Sequence, residues 1–393
     1  MNYRIQTLNN ISSRGLARLP AGRYAVGNAQ SEPHGILVRS ADMHKIEIPA
    51  SVLAVARAGA GTNNIPVAAL SQRGVPVFNS PGANANAVKE LVLAGMFIGA
   101  RNICQAWAYA RGLSGDDHAL EEAMERGKKD YVGFELPGRT LGVIGLGAIG
   151  VEVANAALNL GMKVLGYDPQ ITLQRAWQLS SSVEQAHSLE DLFARSDFIS
   201  VHVPLMDATR GLVNAARLKL MKPGSVVLNF ARGPIVNEAD VLAALDARHL
   251  HAYLCDFPTQ RIKDHPRTVC LPHLGASTSE AEENCAVMAA EQLRDFLENG
   301  NVRNAVNFPE AVLPRVPGTS RIAIANSNVP NMVGQISSAL AGAGLNIADL
   351  LNKSRGEYAY TLIDTDATVA PELIARLAQI EGVLSARLVP LLA

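Results

Sequence analysis

One short segment limits the folds open to this chain more than any other. Gly145-Leu146-Gly147-Ala148-Ile149-Gly150 follows an aliphatic run, Leu141 to Ile144, and opens a helical pattern that continues toward Leu160. A second aliphatic run ends at Asp168, 18 residues after Gly150. Strand, glycine turn, helix and acidic strand end together match the βαβ unit that binds a dinucleotide. We therefore predict a parallel sheet with a dinucleotide site at the end of this strand.

Each glycine of the turn has a separate physical role. Gly145 allows the tight turn, Gly147 lets a pyrophosphate approach the backbone, and Gly150 lets helix and strand pack closely. The helix start, at Ala148 and Ile149, presents free N–H groups to the phosphates. These five residues form the predicted phosphate-binding part of the cofactor site.

Asp168 indicates which dinucleotide binds. Its carboxylate suits the ribose hydroxyls and repels a 2′-phosphate, and no Arg or Lys occurs from Pro169 to Gln174. The predicted cofactor is therefore NAD rather than NADP.

Length and composition limit the partners and the domain count. At roughly 150 residues per domain, 393 residues predict two to three domains. The net charge of −1 argues against a nucleic-acid partner or an anionic membrane surface. Hydrophobic residues make up 48% and aromatic ones only 5%, which suits Ala-rich helices on aliphatic parallel strands.

No membrane segment, signal sequence or metal site is expected. The apolar run from Leu91 to Ala100 is too short for a bilayer core, which needs about 20 residues. The first residues lack the apolar stretch of a signal peptide, so a cytoplasmic location is predicted. The cysteines lack metal-ligand spacing and are predicted to be reduced core thiols: Cys104, Cys255, Cys270 and Cys285.

Apolar runs, and the Gly-rich, Pro-rich and charged stretches between them, divide the chain into three blocks. In the first, strands are predicted over Gly35 to Val38, Val52 to Val55 and Val75 to Phe78, before a long helix from about Ala87 to Arg111 and a charged segment from Asp116 to Asp130. In the second, strands are predicted over Leu141 to Ile144, Lys163 to Tyr167, Phe198 to Val203, Ser225 to Asn229 and Ala252 to Cys255. Intervening helices indicate a parallel sheet covered on both faces.

A third block follows a helix predicted from Ser277 to Asn299. The Pro-rich segment from Asn307 to Gly318 is predicted to be a linker. Beyond it the patterns predict a split βαββαβ module with these elements: strand Arg321 to Ala325, helix Met332 to Ala343, strands Ile347 to Asn352 and Tyr358 to Thr365, helix Pro371 to Gln379 and strand Ala386 to Val389.

Five segments in this order and spacing carry a family resemblance. They are Val75-Pro76-Val77-Phe78-Asn79-Ser80-Pro81, the glycine turn, Val201-His202-Val203-Pro204-Leu205, Asn229-Phe230-Ala231-Arg232-Gly233 and Leu271-Pro272-His273-Leu274-Gly275-Ala276-Ser277-Thr278. Through them the chain resembles the D-isomer-specific 2-hydroxyacid dehydrogenases and, within them, the phosphoglycerate dehydrogenases that end in an ACT domain.

The resemblance implies an α/β architecture in which a Rossmann-type NAD-binding domain is inserted into a flavodoxin-like substrate domain, with an ACT domain at the carboxyl end. The expected boundaries are residues 1–87 with 277–308 for the substrate-binding domain, 88–276 for the NAD-binding domain and 319–393 for the ACT domain. It also assigns further cofactor contacts to His202, Val203, Pro204, Phe230, Ala231, Asp256 and Gly275.

The resemblance assigns the chemistry to two residues. Arg232 holds the substrate carboxylate and carbonyl oxygen, a task for which a planar bidentate donor suits better than Lys. His273 is the acid/base that takes the hydroxyl proton as hydride leaves C2 for the nicotinamide.

At the third catalytic position the chain departs from the family. Gln260 stands where relatives usually have a Glu that favours the imidazolium form of the catalytic His. Gln can orient a ring N–H through its amide oxygen but supplies no charge. We expect that Gln260 only orients His273. Asp256 is an alternative partner of His273, or the residue that binds the nicotinamide carboxamide.

Further positions match those that bind substrate in phosphoglycerate dehydrogenases. Arg39, Ser40 and Asn84 match residues at the phosphate end, and Gly59-Ala60-Gly61 resembles the loop that meets the carboxylate. Lys89 adds a cation at the start of the long helix.

The last block carries the expected effector site. Asn326, Asn328 and Asn346 match positions at which ACT domains bind L-serine between two paired domains. L-serine is therefore a possible effector, a homodimer or homotetramer is expected, and a pairing module without ligand is the alternative.

The resemblance implies NAD-dependent oxidation of 3-phospho-D-glycerate to 3-phosphohydroxypyruvate, the first step of L-serine biosynthesis. One alternative is another D-2-hydroxyacid dehydrogenase, such as a hydroxypyruvate or glyoxylate reductase. The other is a non-catalytic NAD-sensing protein that resembles a corepressor.

Overall fold

The computed structural model describes residues 2–391. The chain forms two compact units: one joins the chain up to Ala83 with the chain from Ser279 onward, and the other spans Asn84–Thr278. The division into three domains that the sequence suggested stays a prediction.

The amino-terminal part of the first unit is a parallel sheet. Its strands are β1 (Tyr3–Leu8), β2 (Tyr24–Gly27), β3 (Gly35–Val38), β4 (Ala54–Arg57) and β5 (Val77–Phe78); its helices are α1 (Ser13–Leu16) and α2 (Val67–Gln72), with a 3₁₀ turn at Met43–Lys45. The parallel order β2-β1-β3-β4-β5 is that of flavodoxin-like folds. β1 and β2 were not predicted, because in β1 only Tyr3 and Ile5 are buried, and the polar residues Arg4, Gln6 and Thr7 interrupt the apolar pattern.

The second unit is built on a seven-stranded parallel sheet. Its strands are β6 (Thr140–Ile144), β7 (Lys163–Tyr167), β8 (Glu184–Gln185), β9 (Phe198–Val201), β10 (Ser225–Asn229), β11 (Leu250–Cys255) and β12 (Thr268–Cys270). The order β12-β11-β10-β9-β6-β7-β8 reverses direction between β6 and β9. Such a reversal is the switch point at which doubly wound sheets bind ligands.

Helices cover this sheet. They are α3 (Ala85–Arg101), α4 (Ile103–Gly112), α5 (Asp117–Gly127), α6 (Ala148–Asn159), α7 (Leu173–Gln178), α8 (Leu189–Arg195), α9 (Ala215–Leu218) and α10 (Glu238–Asp246), with 3₁₀ turns at Lys128–Tyr131 and Gly233–Ile235. The prediction of one long helix to Arg111 was wrong. Asn102, with a φ of 50°, ends α3 in the left-handed region and α4 leaves at a bend of 64°.

The carboxyl-terminal part of the first unit contains one long helix and an antiparallel sheet. The elements are α11 (Ser279–Asn299), β13 (Ser320–Ser327), α12 (Met332–Gly342), β14 (Ile347–Arg355), β15 (Tyr358–Thr365), α13 (Pro371–Ala378) and β16 (Val383–Val389). The sheet order is β14-β15-β13-β16. The predicted βαββαβ order is thereby confirmed.

The segment predicted as a linker is instead packed into the core. Phe308, Ala311 and Leu313 are buried together with residues of α11 and of the antiparallel sheet. Arg321, which is fully buried, binds both carboxylate oxygens of Asp364 at 2.7 and 2.6 Å and donates to the Leu313 carbonyl. The Pro-rich composition indicated a linker, but apolar side chains between the prolines are buried.

Among the described helices, none alone is long and apolar enough to cross a membrane. Only the bent pair Ala85–Arg101 and Ile103–Gly112 reaches that length and hydropathy when its two members are counted together.

Candidate active site

The carboxyl ends of the strands in the second unit bring together predicted cofactor residues and the predicted catalytic residue His273. Six strands of one parallel sheet, β6, β7, β9, β10, β11 and β12, are each followed within three residues by one of them: Gly145, Asp168, His202, Phe230, Asp256 and His273. Because the strands are parallel, these residues lie along one edge of the sheet. The switch point between β6 and β9 lies in the middle of that edge.

The glycine turn is built as its spacing predicts. Gly145 has a φ of 91°, and a Cβ there would lie 2.7 Å from the His202 carbonyl oxygen. A Cβ on Gly150 would lie only 1.9 Å from the carbonyl oxygen of Gly145. Larger residues at these two positions would therefore push α6 away from β6 and the turn away from Val203, whose side chain lies beside it.

The start of α6 fits the phosphates of a dinucleotide. Within residues 2–391, no side chain caps the helix at Gly147, so the first N–H groups at Ala148 and Ile149 remain open to an anion. Asp168 accepts the Leu146 N–H at 2.8 Å and the Gln170 N–H at 2.9 Å. These bonds fix its carboxylate at the end of β7, where remaining lone pairs suit ribose hydroxyls.

His202, which follows β9, is held as a neutral ring. Its Nε2 lies 2.8 Å from Ser200 Oγ, and burial lowers the pKa of His202 to about 4. Two residues further, the Pro204 carbonyl accepts the Thr209 hydroxyl at 2.6 Å. This loop therefore presents no positive charge to a bound cofactor near neutral pH.

The loop after β10 is shaped by a buried amide. Asn229 donates to the Arg232 carbonyl at 2.9 Å and accepts the Ala231 N–H at 3.2 Å, while Phe230 is buried. The guanidinium of Arg232 is exposed and donates to the neighbouring Ala231 carbonyl at 2.6 Å. These bonds fix the backbone of the loop, while the Arg232 guanidinium can bind an anion.

His273 sits on a left-handed turn that Asp256 holds in place. The φ of His273 is 57°, a conformation that His adopts more readily than most residues. The Asp256 carboxylate, 1% exposed, accepts the N–H groups of Leu274 at 2.8 Å and Gly275 at 2.6 Å. Both oxygens serve the backbone, which favours a shaping role for Asp256 over that of a partner for the His273 ring.

A cavity of 780 Å³ lies beside His273. The His273 ring faces Phe257, with centroids 5.2 Å apart, and Asp256, Arg261 and Glu238 line the same cavity. Glu238 is a residue that sequence reasoning missed; its carboxylate accepts the Thr259 hydroxyl at 2.9 Å. The sequence signal that could have identified Glu238 was its position at the start of α10, shortly after Arg232.

Gln260 is exposed and, within the described residues, makes no hydrogen bond. Its orienting role toward His273 therefore stays a prediction.

In the first unit, two arginines follow or end neighbouring strands at the carboxyl edge of the five-stranded sheet. Arg39 follows β3 and Arg57 ends β4; Arg57 donates to the Arg39 carbonyl at 3.0 Å and to the Gly61 carbonyl. Arg57 thereby joins two stretches that the sequence singled out separately. Sequence reasoning missed it, although a cation at a strand end beside Gly59-Ala60-Gly61 was a visible signal.

Arg39 carries an ion pair from a distant part of the chain. Its guanidinium contacts the carboxylate of Glu282 on α11, and both side chains are 40% exposed. An exposed pair of this kind is weak and exchangeable. The Arg39 cation is therefore available to a phosphate that displaces Glu282.

The other predicted substrate residues differ in their exposure and in their hydrogen bonds. The backbone of Ser40 donates to Asn9 at 3.0 Å and leaves its hydroxyl exposed, while Ala60 is exposed between Gly59 and Gly61. In the second unit, Asn84 precedes α3 without capping it, and Lys89 binds Asn86 on the same helix.

The three predicted effector residues differ in exposure. Asn326 is 1% exposed and donates to the Ser327 carbonyl at 2.8 Å. Asn328 is exposed and donates to the Gly356 carbonyl at 3.0 Å, and Asn346 is exposed. An effector would therefore meet Asn328 and Asn346 before Asn326.

Comparison with known proteins adds independent findings. Residues 103–275 match the family model described as D-isomer specific 2-hydroxyacid dehydrogenase, NAD binding domain. The D-3-phosphoglycerate dehydrogenases of Haemophilus influenzae and Escherichia coli are each 32% identical to the chain, over 353 and 341 residues; the matches cover 87% and 84% of this chain, and 82% and 79% of those proteins. The crystal structure of NAD⁺-bound 3-phosphoglycerate dehydrogenase from Entamoeba histolytica superimposes with a TM-score of 0.59 at 27% identity, covering 78% of this chain and 99% of that one.

Proposed function

We propose, from the premise that this chain belongs to the D-isomer-specific 2-hydroxyacid dehydrogenases, that it oxidises 3-phospho-D-glycerate to 3-phosphohydroxypyruvate with NAD as acceptor. The observation that carries the choice of substrate is the position of Arg39 and Arg57 at one sheet edge, where the Arg57 guanidinium donates to the Arg39 backbone carbonyl. Two guanidiniums beside a glycine loop suit a phosphate, since Arg binds phosphate oxygens through a fixed fork of donors. In a pathway, this reaction would be the first step toward L-serine.

The chain's own groups supply the proton chemistry and the orientation of the substrate. His273, exposed to the cavity, takes the proton of the C2 hydroxyl as the carbonyl forms. Arg232 holds the substrate carboxylate and the oxygen on C2. NAD, when bound, accepts the hydride from C2. Asp256 acts on His273 only through the backbone turn that it holds.

The carboxyl-terminal module is proposed to be an ACT domain that senses L-serine. Its βαββαβ order and the exposed amides of Asn328 and Asn346 support this assignment. The homodimer or homotetramer and the cytoplasmic location stay predictions.

A steady-state assay tests the proposal. NADH formation is measured with 3-phospho-D-glycerate, D-glycerate and D-lactate, each with and without L-serine. We expect a clear preference for the phosphorylated acid and a lower rate with L-serine. No preference among the acids would refute the substrate, and a rate insensitive to L-serine would refute the effector.

A further inference from the structure

Two cysteines that are 15 residues apart in sequence become neighbours in the second unit. Cys255 ends β11 and Cys270 ends β12, and the two residues are paired in the parallel register. Their sulfur atoms are 3.6 Å apart, with the Cys255 thiol donating to Cys270. Neighbouring strands lie about 4.8 Å apart, and a disulfide spans Cα atoms about 4.4–6.8 Å apart. The backbone thus already places both residues within bridging distance.

We propose that Cys255 and Cys270 form an oxidisable dithiol, a modification site at which a peroxide makes a disulfide and slows the enzyme.

The two sulfurs differ in burial and in pKa, and we therefore expect them to act in different steps of the oxidation. Cys255 is fully buried, whereas Cys270 is partly accessible. The hydrogen bond from Cys255 and, to a smaller extent, one with Thr268 lower the pKa of Cys270, against the opposing effects of burial and of the Glu238 charge. The hydrogen bond to Cys270 and burial raise the pKa of Cys255. Cys270 is therefore the attacking sulfur and Cys255 the resolving one.

The chemistry balances with a peroxide as oxidant. The Cys270 thiolate attacks one peroxide oxygen, the O–O bond breaks, and Cys270 becomes a sulfenic acid as the peroxide is reduced to water. The Cys255 sulfur then attacks the Cys270 sulfur, the S–O bond breaks, and the hydroxide leaves as water with the Cys255 proton. In total, two thiols and one hydrogen peroxide give one disulfide and two waters.

The disulfide acts on the chemistry because both strands lead directly into the candidate active site. Asp256 follows Cys255 and His273 follows Cys270 by three residues, and the two segments are tied by the bond from the His273 N–H to the Asp256 carbonyl at 3.1 Å. Closing the sulfurs from 3.6 Å to about 2.05 Å pulls on both strand ends. A shift of about 1 Å at reacting groups can cost about 100-fold in rate.

The test treats the reduced full-length protein with hydrogen peroxide. Non-reducing peptide mapping by mass spectrometry should find the Cys255 and Cys270 peptides joined, with the loss of two hydrogens. With the same treatment, kcat should fall by about tenfold or more and recover on addition of dithiothreitol. Cys270→Ser should keep its kcat under peroxide, and Cys255→Ser should stop at a Cys270 sulfenic acid that dimedone traps.

Cys104→Ser, at the other partly accessible cysteine, is the matched control and should respond like the unaltered protein. A protein without the Cys255–Cys270 link, or one linked there with unchanged kcat, overturns the proposal. So does a loss of activity that Cys270→Ser shares. The link is detected without turnover, so it is judged even if 3-phospho-D-glycerate is not the substrate; the rate arm rests on the proposed function and then uses whichever 2-hydroxyacid is oxidised.

Discussion

The carboxyl edges of the two parallel sheets are held by different kinds of contact. On the five-stranded sheet the edge is made by side chains, with Arg57 joined to the Arg39 segment and Arg39 joined to Glu282 on α11. On the seven-stranded sheet it is made largely by the backbone, since Asp168 and Asp256 each accept two N–H groups of nearby turns.

The difference explains how each edge selects its ligand. The Arg39 guanidinium can reorganise around an anion, because the ion pair with Glu282 that it must exchange is weak. Backbone N–H groups and anchored carboxylates offer a fixed geometry, which suits a cofactor that is the same in every turnover. We therefore propose that the first edge selects the substrate and that the second binds the cofactor and transfers the proton.

The largest effect is expected at the second edge. His273→Asn should lower kcat by about 10²- to 10⁴-fold, because His273 is the proposed acceptor of the hydroxyl proton. NADH binding, measured by fluorescence, should be nearly unchanged. His118→Asn, at an exposed His on α5, serves as the control and should keep full activity. An active His273→Asn enzyme would mean that the turn carries a different base.

At the first edge, that of the five-stranded sheet, we expect a substitution to weaken the affinity for the substrate. Arg57→Gln should raise KM for 3-phospho-D-glycerate by about 10- to 100-fold, the cost of one charge-assisted hydrogen bond. Because D-glycerate lacks the phosphate, its kcat/KM should hardly change. Arg18→Gln, at an exposed Arg elsewhere in this unit, is the control. Equal losses for both acids would show that Arg57 only supports the loop.

Cofactor choice should depend on one carboxylate of the second edge. Asp168→Asn should raise KM for NAD about tenfold and improve the relative use of NADP, since the repulsion of a 2′-phosphate is removed. Initial rates with both cofactors measure this, with Asp207→Asn on the exposed loop after β9 as control. An unchanged NAD to NADP ratio would assign the discrimination to other groups.

The smallest effect is expected at residue 260, where the chain has Gln in place of the Glu that is usual in the family. Gln260→Glu should move the acid limb of the pH–rate profile of kcat/KM to higher pH, because a carboxylate near the imidazole favours its protonated form, which cannot act as base. Glu238→Gln is the paired variant and should move the limb to lower pH if Glu238 supplies that charge at present. If Gln260→Glu leaves the limb in place, residue 260 does not face His273.

The two edges also differ in how well the sequence predicted them. The glycine turn and Asp168 were predictable because their contacts are local and follow from strand, turn and helix in direct succession. The parallel sheets and the βαββαβ module followed from aliphatic runs and their spacing. The family resemblance pointed to Arg232 and His273, whereas the backbone support from Asn229 and Asp256 needed coordinates.

Contacts between distant segments were not predictable. Glu282 meets Arg39 across 243 residues of sequence, and Cys255 meets Cys270 only because β11 and β12 pair in one register. The break at Asn102 was hidden as well, because apolar residues continue on both sides of it. Each case depends on pairing or backbone conformation rather than on composition.

We propose that the guanidiniums of the first edge select a phosphorylated acid. The most direct measurement is kcat/KM for 3-phospho-D-glycerate and for D-glycerate, with NAD, in the unaltered protein and in Arg57→Gln. We predict a preference of about 100-fold or more for the phosphorylated acid, reduced at least tenfold by the substitution. Equal values for the two acids in the unaltered protein, or a preference untouched by the substitution, would contradict the account.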